Sequence, residues 1–213
     1  ICNPNNPTGK VLDTKKLQDF CIKASKKTLV LVDEAYNELI SDGPAHSMIP
    51  LINQGHNIIV ARTFSKIYGL AGMRVGYMLG SEENISFINQ YGLGGYSINQ
   101  AGLAAAIASF KDEAFKDFSR DKVMEAKDMI MSAVKANGLT ALPSSTNFIF
   151  VNLGNGNAEY FRQAMAEKDV LIRGIYRTYD NWSRVSMGKI ADVKRYVDAM
   201  PYALEKMSTL QKT

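Results

Sequence analysis

The stretch TLVLVDE, residues 28–34, sets the architecture. From Thr28 to Val32 it is almost continuously apolar, and it is too short for a helix before Asp33-Glu34 ends it. Such a run reads as a strand buried on both faces, as in a parallel sheet covered by helices. Upstream, Thr14 is placed to cap a helix from Lys15 to Ser25, with Leu17, Phe20, Cys21 and Ala24 at helical spacing on one face. Downstream, Asn57–Arg62 repeats the apolar pattern and Val75–Leu79 supplies a third short strand. Strand and helix signals alternate, which argues for an α/β layer.

Further along, an Ala-rich helix is expected over Asn99–Phe110 and a longer one over Glu113–Ala136. The second would turn Phe115, Phe118, Ala126, Ile130 and Val134 toward a core and stop at Asn137-Gly138. The texture then changes. Strands are expected at Leu139–Leu142, Asn147–Asn152, Val170–Arg173 and Ser183–Met187, with helices at Ala158–Glu167 and Ala191–Lys206. That ββαββα order predicts a small α+β domain after the α/β part. The boundary is expected within the long helix, dividing the chain into 1–115 and 116–213.

Composition excludes several classes. The chain has 213 residues, 46% of them apolar and 22% charged, an ordinary globular balance. No apolar run approaches the roughly 18 residues of a membrane helix. The net charge of +4 is scattered, with no run of five basic residues, so solvated surface lysines are favoured over a nucleic-acid patch. Cys2 and Cys21 form no CxxC and have no His/Cys cluster beside them, which argues against a zinc site. His46 and His56 lie in turn-like contexts without a nucleophile motif such as GxSxG, so a hydrolase triad has little support.

Three places carry chemistry. Asp33 and Tyr36 lie just past the end of a buried strand, where ligands bind in open α/β sheets. Thr63-Phe64-Ser65-Lys66 ends the next strand, and Gly69, Gly72 and Arg74 follow. Asn6 sits in the NPNNPTG turn at 3–9. Singly, each has a bland reading: a helix-capping carboxylate, a surface Ser-Lys pair, a turn asparagine.

Together they resemble the fold-type I pyridoxal-phosphate aminotransferases of class I and II, in particular the histidinol-phosphate aminotransferase branch. The matching strings are NPNNPTG (3–9), LVDEAYNEL (31–39), RTFSKIYGLAGMRVGY (62–77) and SRVSMG (183–188), in order along nearly the whole chain. The resemblance implies part of the large cofactor-binding domain of the aspartate-aminotransferase-like fold, followed by a small C-terminal domain. It implies pyridoxal 5'-phosphate as cofactor, a cofactor that serves as electron sink while the protein supplies orientation and electrostatics. Lys66 would form the internal Schiff base and move the proton at the substrate's Cα. Asp33 would pair with the pyridinium nitrogen, and Tyr36 and Asn6 would donate to the ring oxygen. Thr63, Ser65 and Arg74 would hold the phosphate. Arg184 matches the arginine that grips the substrate carboxylate, and Arg173 is a second candidate for substrate contact. Tyr96, Ser97 and Asn99 lie in a loop expected near the partner of a homodimer.

The resemblance further implies a preceding segment that this chain does not match, with a phosphate-binding glycine turn and an aromatic that stacks on the cofactor. On that expectation the 213-residue polypeptide alone has no turnover. The substrate stays open. RGIYRTYDNWSR, residues 173–184, with Tyr176, Tyr179 and Trp182, does not map onto a phosphate pocket. An aromatic substrate, or decarboxylation of the threonine-phosphate type, competes with transamination of histidinol phosphate and a 2-oxo acid. A P-loop ATPase is a remote alternative: Pro4 stands where its first Gly belongs, and Val11 follows Lys10 in place of Ser or Thr. Intact Lys66 and Asp33 argue against a non-catalytic paralogue. With no targeting segment in view, the cytoplasm is the expected compartment.

Overall fold

The structure is a computed structural model that describes residues 1–92 and 97–212. Tyr96 lies outside the described residues. The chain divides into two compact units, one of Ile1–Asn6 with Val11–Ser119 and the other of Pro7–Lys10 with Arg120–Thr213.

The first unit is a mixed sheet with helices against it. Helix α1 (Thr14–Ser25) leads to strand β1 (Val30–Asp33), and a short helix α2 (Ile49–Asn53) leads to β2 (Ile58–Thr63). The α1 cap is Asp13 and not Thr14: the Asp13 carboxylate accepts from Lys16 N at 2.8 Å, while the Thr14 hydroxyl pairs with His46 Nδ1 at 2.7 Å. Leu17 and Cys21 of α1, Val30 and Val32 of β1, Met48 and Leu51 beside and within α2, and Ile58 and Val60 of β2 form one core. Burial of each large aliphatic side chain there contributes about 1.5–3 kcal/mol. Phe20 is 56% exposed, against expectation. A three-residue step turns it about 60° from the Leu17 line, away from Cys21.

Strand β1 is also covered on one face only, because Leu31 is 49% exposed between buried Val30 and Val32. Strands β1 and β2 are parallel, whereas β3 (Gly76–Leu79) runs antiparallel to β2. Helix α3 (Glu82–Asn89), which sequence reading did not anticipate, starts at a Ser81 cap. Helix α4 (Gln100–Phe110) follows.

Helix α5 (Glu113–Ala136) contains the division between the units. Its Ala126, Ile130 and Val134 are buried as their spacing predicts. Phe115 and Phe118 are exposed, a correction: helical periodicity says which residues share a stripe, but not how far along the helix a core covers it.

The second unit is an antiparallel sheet ordered β4 (Thr140–Ala141), β5 (Phe148–Asn152), β6 (Trp182–Ser186). Helices α5, α6 (Ala158–Ala166) and α7 (Ile190–Leu210) share its core with Ile149, Val151 and Val185. The strand expected at Val170–Arg173 does not form. Asp169 takes a left-handed φ of 55°, and Val170 N bonds back to Met165 O at 3.1 Å, so this stretch closes α6 and adds nothing to the sheet. Pro7–Lys10 is pinned to this unit by Ser145 N donating to Gly9 O at 2.8 Å. Gly9 has φ 72°, and a Cβ there would sit 2.3 Å from Ser144 Oγ, so only glycine fits.

Among the described residues no helix is long and apolar enough to cross a membrane, and no group of three or more His, Cys, Asp or Glu is placed to hold a metal.

Candidate active site

Parallel pairing of β1 with β2, Asp33 opposite Ala61, brings the carboxyl ends of both strands to one edge of the first unit. A third chain segment joins there: Asp33 N donates to Ile1 O at 2.7 Å and Asn3 N donates to Asp33 O at 3.0 Å. The Asp33 carboxylate is half-buried and accepts from Ala35 N at 3.0 Å, which turns the chain toward Tyr36. Tyr36 is 5% exposed, and Lys66 Nζ lies 5.2 Å from its ring centroid, within cation–π range. Asn6 is half-buried in the same unit. Cys2, which the sequence marks only as an ordinary thiol, lies beside Asp33; burial pushes its thiol pKa up, partly opposed by a hydrogen bond from the Asn6 backbone.

The lysine sits in a tight turn. Thr63 Oγ1 accepts from Ser65 N at 3.0 Å, Gly69 N donates to Lys66 O at 2.9 Å, and Leu70 N donates to Phe64 O at 3.0 Å. Gly69 takes φ 69°, which the closure requires. Phe64 packs on Tyr68 and Tyr77 with centroids 4.8 and 5.8 Å away. Arg74 is exposed in a left-handed conformation (φ 57°), with its guanidinium donating to Ala71 O at 2.7 Å. Asn99 fixes the backbone just before it: its Oδ1 accepts from Gly102 N at 2.5 Å as the cap of α4, and its Nδ2 donates to Met73 O at 2.9 Å.

Behind this edge lies a polar cluster that sequence reading missed. Glu34 is fully buried and accepts from Ser47 Oγ at 2.9 Å, Met48 N at 2.7 Å, and Arg62 Nε and Nη2 at 3.2 and 2.8 Å. Burial pulls the Arg62 pKa down, but the Glu34 hydrogen bonds and charge more than offset it, so the guanidinium stays charged. Glu38 accepts from the Tyr68 hydroxyl at 3.3 Å, and burial pushes its carboxyl pKa up against the nearby charges of Arg62 and Lys116. The signal was present in the spacing of Glu34 and Glu38, each two residues from Tyr36.

The second unit groups the remaining candidates. The guanidinium of Arg184, on β6, lies 5.0 Å from the Phe148 ring and 5.1 Å from the Tyr176 ring. Arg173 stands 4.6 Å and Arg177 5.7 Å from that same Tyr176 ring. Three cations thus surround one buried tyrosine, beside Phe150 and its stacked neighbour Trp182 at 4.9 Å. Arg177 was not singled out by sequence. Asp33, Tyr36, Thr63, Ser65, Lys66 and Arg74 therefore belong to the first unit, and Arg173 and Arg184 to the second.

A carboxylate at a strand end, a lysine over a tyrosine and hydroxyls on the following turn thus gather at one edge of an α/β unit. The family model for aminotransferase class I and II matches residues 1–200, and the chain belongs to that family. It is 36% identical over 202 residues to a histidinol-phosphate aminotransferase of Moorella thermoacetica, covering 94% of this chain and 52% of the relative. Histidinol-phosphate aminotransferase 2 of Bacillus cereus is 38% identical over 188 residues, covering 88% of this chain and 50% of the relative. The crystal structure of the Sinorhizobium meliloti histidinol-phosphate aminotransferase in complex with pyridoxal-5'-phosphate superposes with a TM-score of 0.85 at 28% identity, covering 96% of this chain and 56% of that one. The chain spans about half the length of the curated relatives it matches.

Proposed function

We propose that this chain supplies cofactor- and substrate-binding residues of a pyridoxal-phosphate-dependent aminotransferase acting on a histidinol-phosphate-like amino compound and a 2-oxo acid. The observation that carries the reading is Lys66 Nζ, 5.2 Å from the Tyr36 ring, on the turn after β2 at the same sheet edge as Asp33. The donor set fits the cofactor: one carboxylate for a ring N–H, hydroxyl and amide donors for a ring oxygen, an amine for an aldehyde, and a guanidinium for a phosphate dianion. When bound, pyridoxal phosphate supplies the electron sink that stabilises negative charge at the substrate's Cα.

The chain's own residues do the rest. Asp33 accepts from the ring nitrogen and favours its protonated form. Tyr36 and Asn6 donate to the ring oxygen. Ser65 and Arg74 hold the phosphate, and Thr63 serves that end through the turn it closes on Ser65 N. Lys66 would hold the cofactor through its aldehyde and, as a free amine, would carry the proton between the substrate's Cα and the cofactor's C4′. Arg184 grips the substrate carboxylate with its forked donors, and Arg173 assists. The three guanidiniums around Tyr176 support an anionic substrate over a neutral aromatic one.

On this reading the first unit belongs to the large cofactor domain and the second is the small C-terminal domain. The working enzyme is a cytoplasmic homodimer. The test is reductive trapping: purified protein is incubated with pyridoxal phosphate, treated with borohydride and digested. The cofactor's mass is expected on the Lys66 peptide and lost in Lys66→Ala. Label spread evenly over other lysines, unchanged by Lys66→Ala, overturns the reading.

A further inference from the structure

We propose that Glu34 and Glu38 clamp the Lys66 turn at both of its ends and, with Arg62 and Tyr68, act as positioning residues for that lysine; this rests on the role given to Lys66 above. The ties are paired in sequence. Glu34 and Glu38 lie two residues before and after Tyr36, whereas Arg62 and Tyr68 lie four before and two after Lys66. Arg62 leaves β2 to reach Glu34 through Nε at 3.2 Å and Nη2 at 2.8 Å. Tyr68 donates to Glu38 Oε1 at 3.3 Å. The segment that bears the lysine is therefore fastened twice to the segment that bears the tyrosine below it.

Each anchor is held in turn. Ser47 Oγ, at 2.9 Å, and Met48 N, at 2.7 Å, donate to Glu34, so the Arg62 tie ends on a fixed carboxylate. Arg62 Nη2 also donates to Asn37 Oδ1 at 3.2 Å, and Asn37 Nδ2 donates to Gly43 O at 2.8 Å, which fixes the turn between the two glutamates. On the other side, the Tyr68 ring packs 4.8 Å from Phe64. A lysine amine rides on a flexible four-carbon stem, so its reach is decided by the backbone from which it starts. Misplacing a reacting group by about 1 Å costs on the order of 100-fold in rate. None of the four clamp residues needs to touch the cofactor to matter.

Tyr68→Phe removes only the hydroxyl and leaves the ring packing, so it is the primary variant. Glu38→Ala removes the acceptor, and Glu38→Gln keeps a carbonyl oxygen that still accepts. The readout is the rate at which pyridoxal phosphate becomes borohydride-fixable on Lys66. Affinity for pyridoxamine phosphate, which has no aldehyde, serves as the control for the binding site. Trapping is expected to slow about tenfold in Tyr68→Phe and Glu38→Ala and to stay within about twofold in Glu38→Gln, with pyridoxamine phosphate affinity unchanged throughout. Equal trapping rates in wild type, Tyr68→Phe and Glu38→Ala overturn the clamp. If the wild type fixes no cofactor on Lys66, the cofactor reading falls instead. Hydrogen exchange at the Gly69 and Leu70 amides then decides the clamp alone: faster exchange in Tyr68→Phe supports it, and unchanged exchange overturns it.

Discussion

Arg62 donates twice to a single oxygen of Glu34, through Nε at 3.2 Å and Nη2 at 2.8 Å, and joins the end of β2 to the residue that follows β1. Glu34 is fully buried while the Arg62 side chain is 15% exposed. The pair closes the gap between two parallel strands at the edge where the proposed cofactor residues gather.

Breaking that pair on one side is expected to be costly. Arg62→Met leaves a buried carboxylate without its cation, which costs about 3–5 kcal/mol. Ser47 and Met48 still donate to Glu34, so the lower end of that range applies. The check is the midpoint of urea denaturation. A loss under about 1 kcal/mol, the range of exposed ion pairs, contradicts this account of the pair.

Glu38 gives the stability a pH dependence of defined sign. Burial holds its folded pKa above the ordinary value of 4.5, despite Arg62, Tyr68 and Lys116 nearby, while Glu34 adds to the rise. The folded state therefore binds this proton more tightly than the unfolded state does. Its contribution is fully present below about 4.5 and is lost as pH rises through the elevated folded value. Glu38→Gln cannot ionise, so wild type should lose stability relative to the variant as pH rises through that window and then level off. Denaturation midpoints of both proteins across pH 4 to 8 test it, and a difference of opposite slope refutes it.

Much of the first unit was legible because its signals were local. An apolar run ending in Asp33-Glu34 and a second ending at Arg62 are strands, and Asp33 and Lys66 follow their ends in the sequence itself. What escaped notice depends on contacts that no local pattern records. Leu31 looks as apolar as Val30 and Val32, yet only the tertiary arrangement says which face is covered. Val170–Arg173 has strand composition, but the left-handed Asp169 and the bond from Val170 N to Met165 O assign its start to a helix terminus. Helix α3 carries Glu82 and Glu83 behind a Ser81 cap, a start signal that the mixed Ile85-Ser86-Phe87 stripe obscured. The Glu34–Arg62 and Glu38–Tyr68 ties span 28 and 30 residues, beyond the reach of any short motif.

Asn99 should couple helix capping to the neighbourhood of Arg74. Its side chain caps α4 through Gly102 N and at the same time donates to Met73 O, immediately before Arg74. Asn99→Ala is expected to cost about 1 kcal/mol from the cap alone. Asn99→Asp keeps the acceptor for Gly102 N but loses the donor to Met73, so it should retain stability and still weaken pyridoxamine phosphate binding. Calorimetric titration beside thermal unfolding separates the two effects. Unchanged affinity in Asn99→Asp would show that the Met73 contact has no bearing on Arg74.

The cations around Tyr176 lead to a prediction about substrate. Arg173, Arg177 and Arg184 stand 4.6, 5.7 and 5.1 Å from one ring centroid, which gathers three positive charges around Tyr176. A substrate that brings a phosphate should therefore be attracted to this positively charged group, and an uncharged aromatic side chain should not. Arg177 is exposed and has φ 55°, a conformation that Asn adopts more readily than most residues, so Arg177→Asn removes the charge without adding backbone strain. The variant should weaken binding of histidinol phosphate several-fold and leave that of phenylalanine unchanged. Rising ionic strength should shift the wild type in the same direction, because exposed charges are screened beyond about 8 Å at physiological salt. If phenylalanine binds more tightly and Arg177→Asn affects both equally, the guanidinium group serves packing on Tyr176 and does not select an anionic substrate.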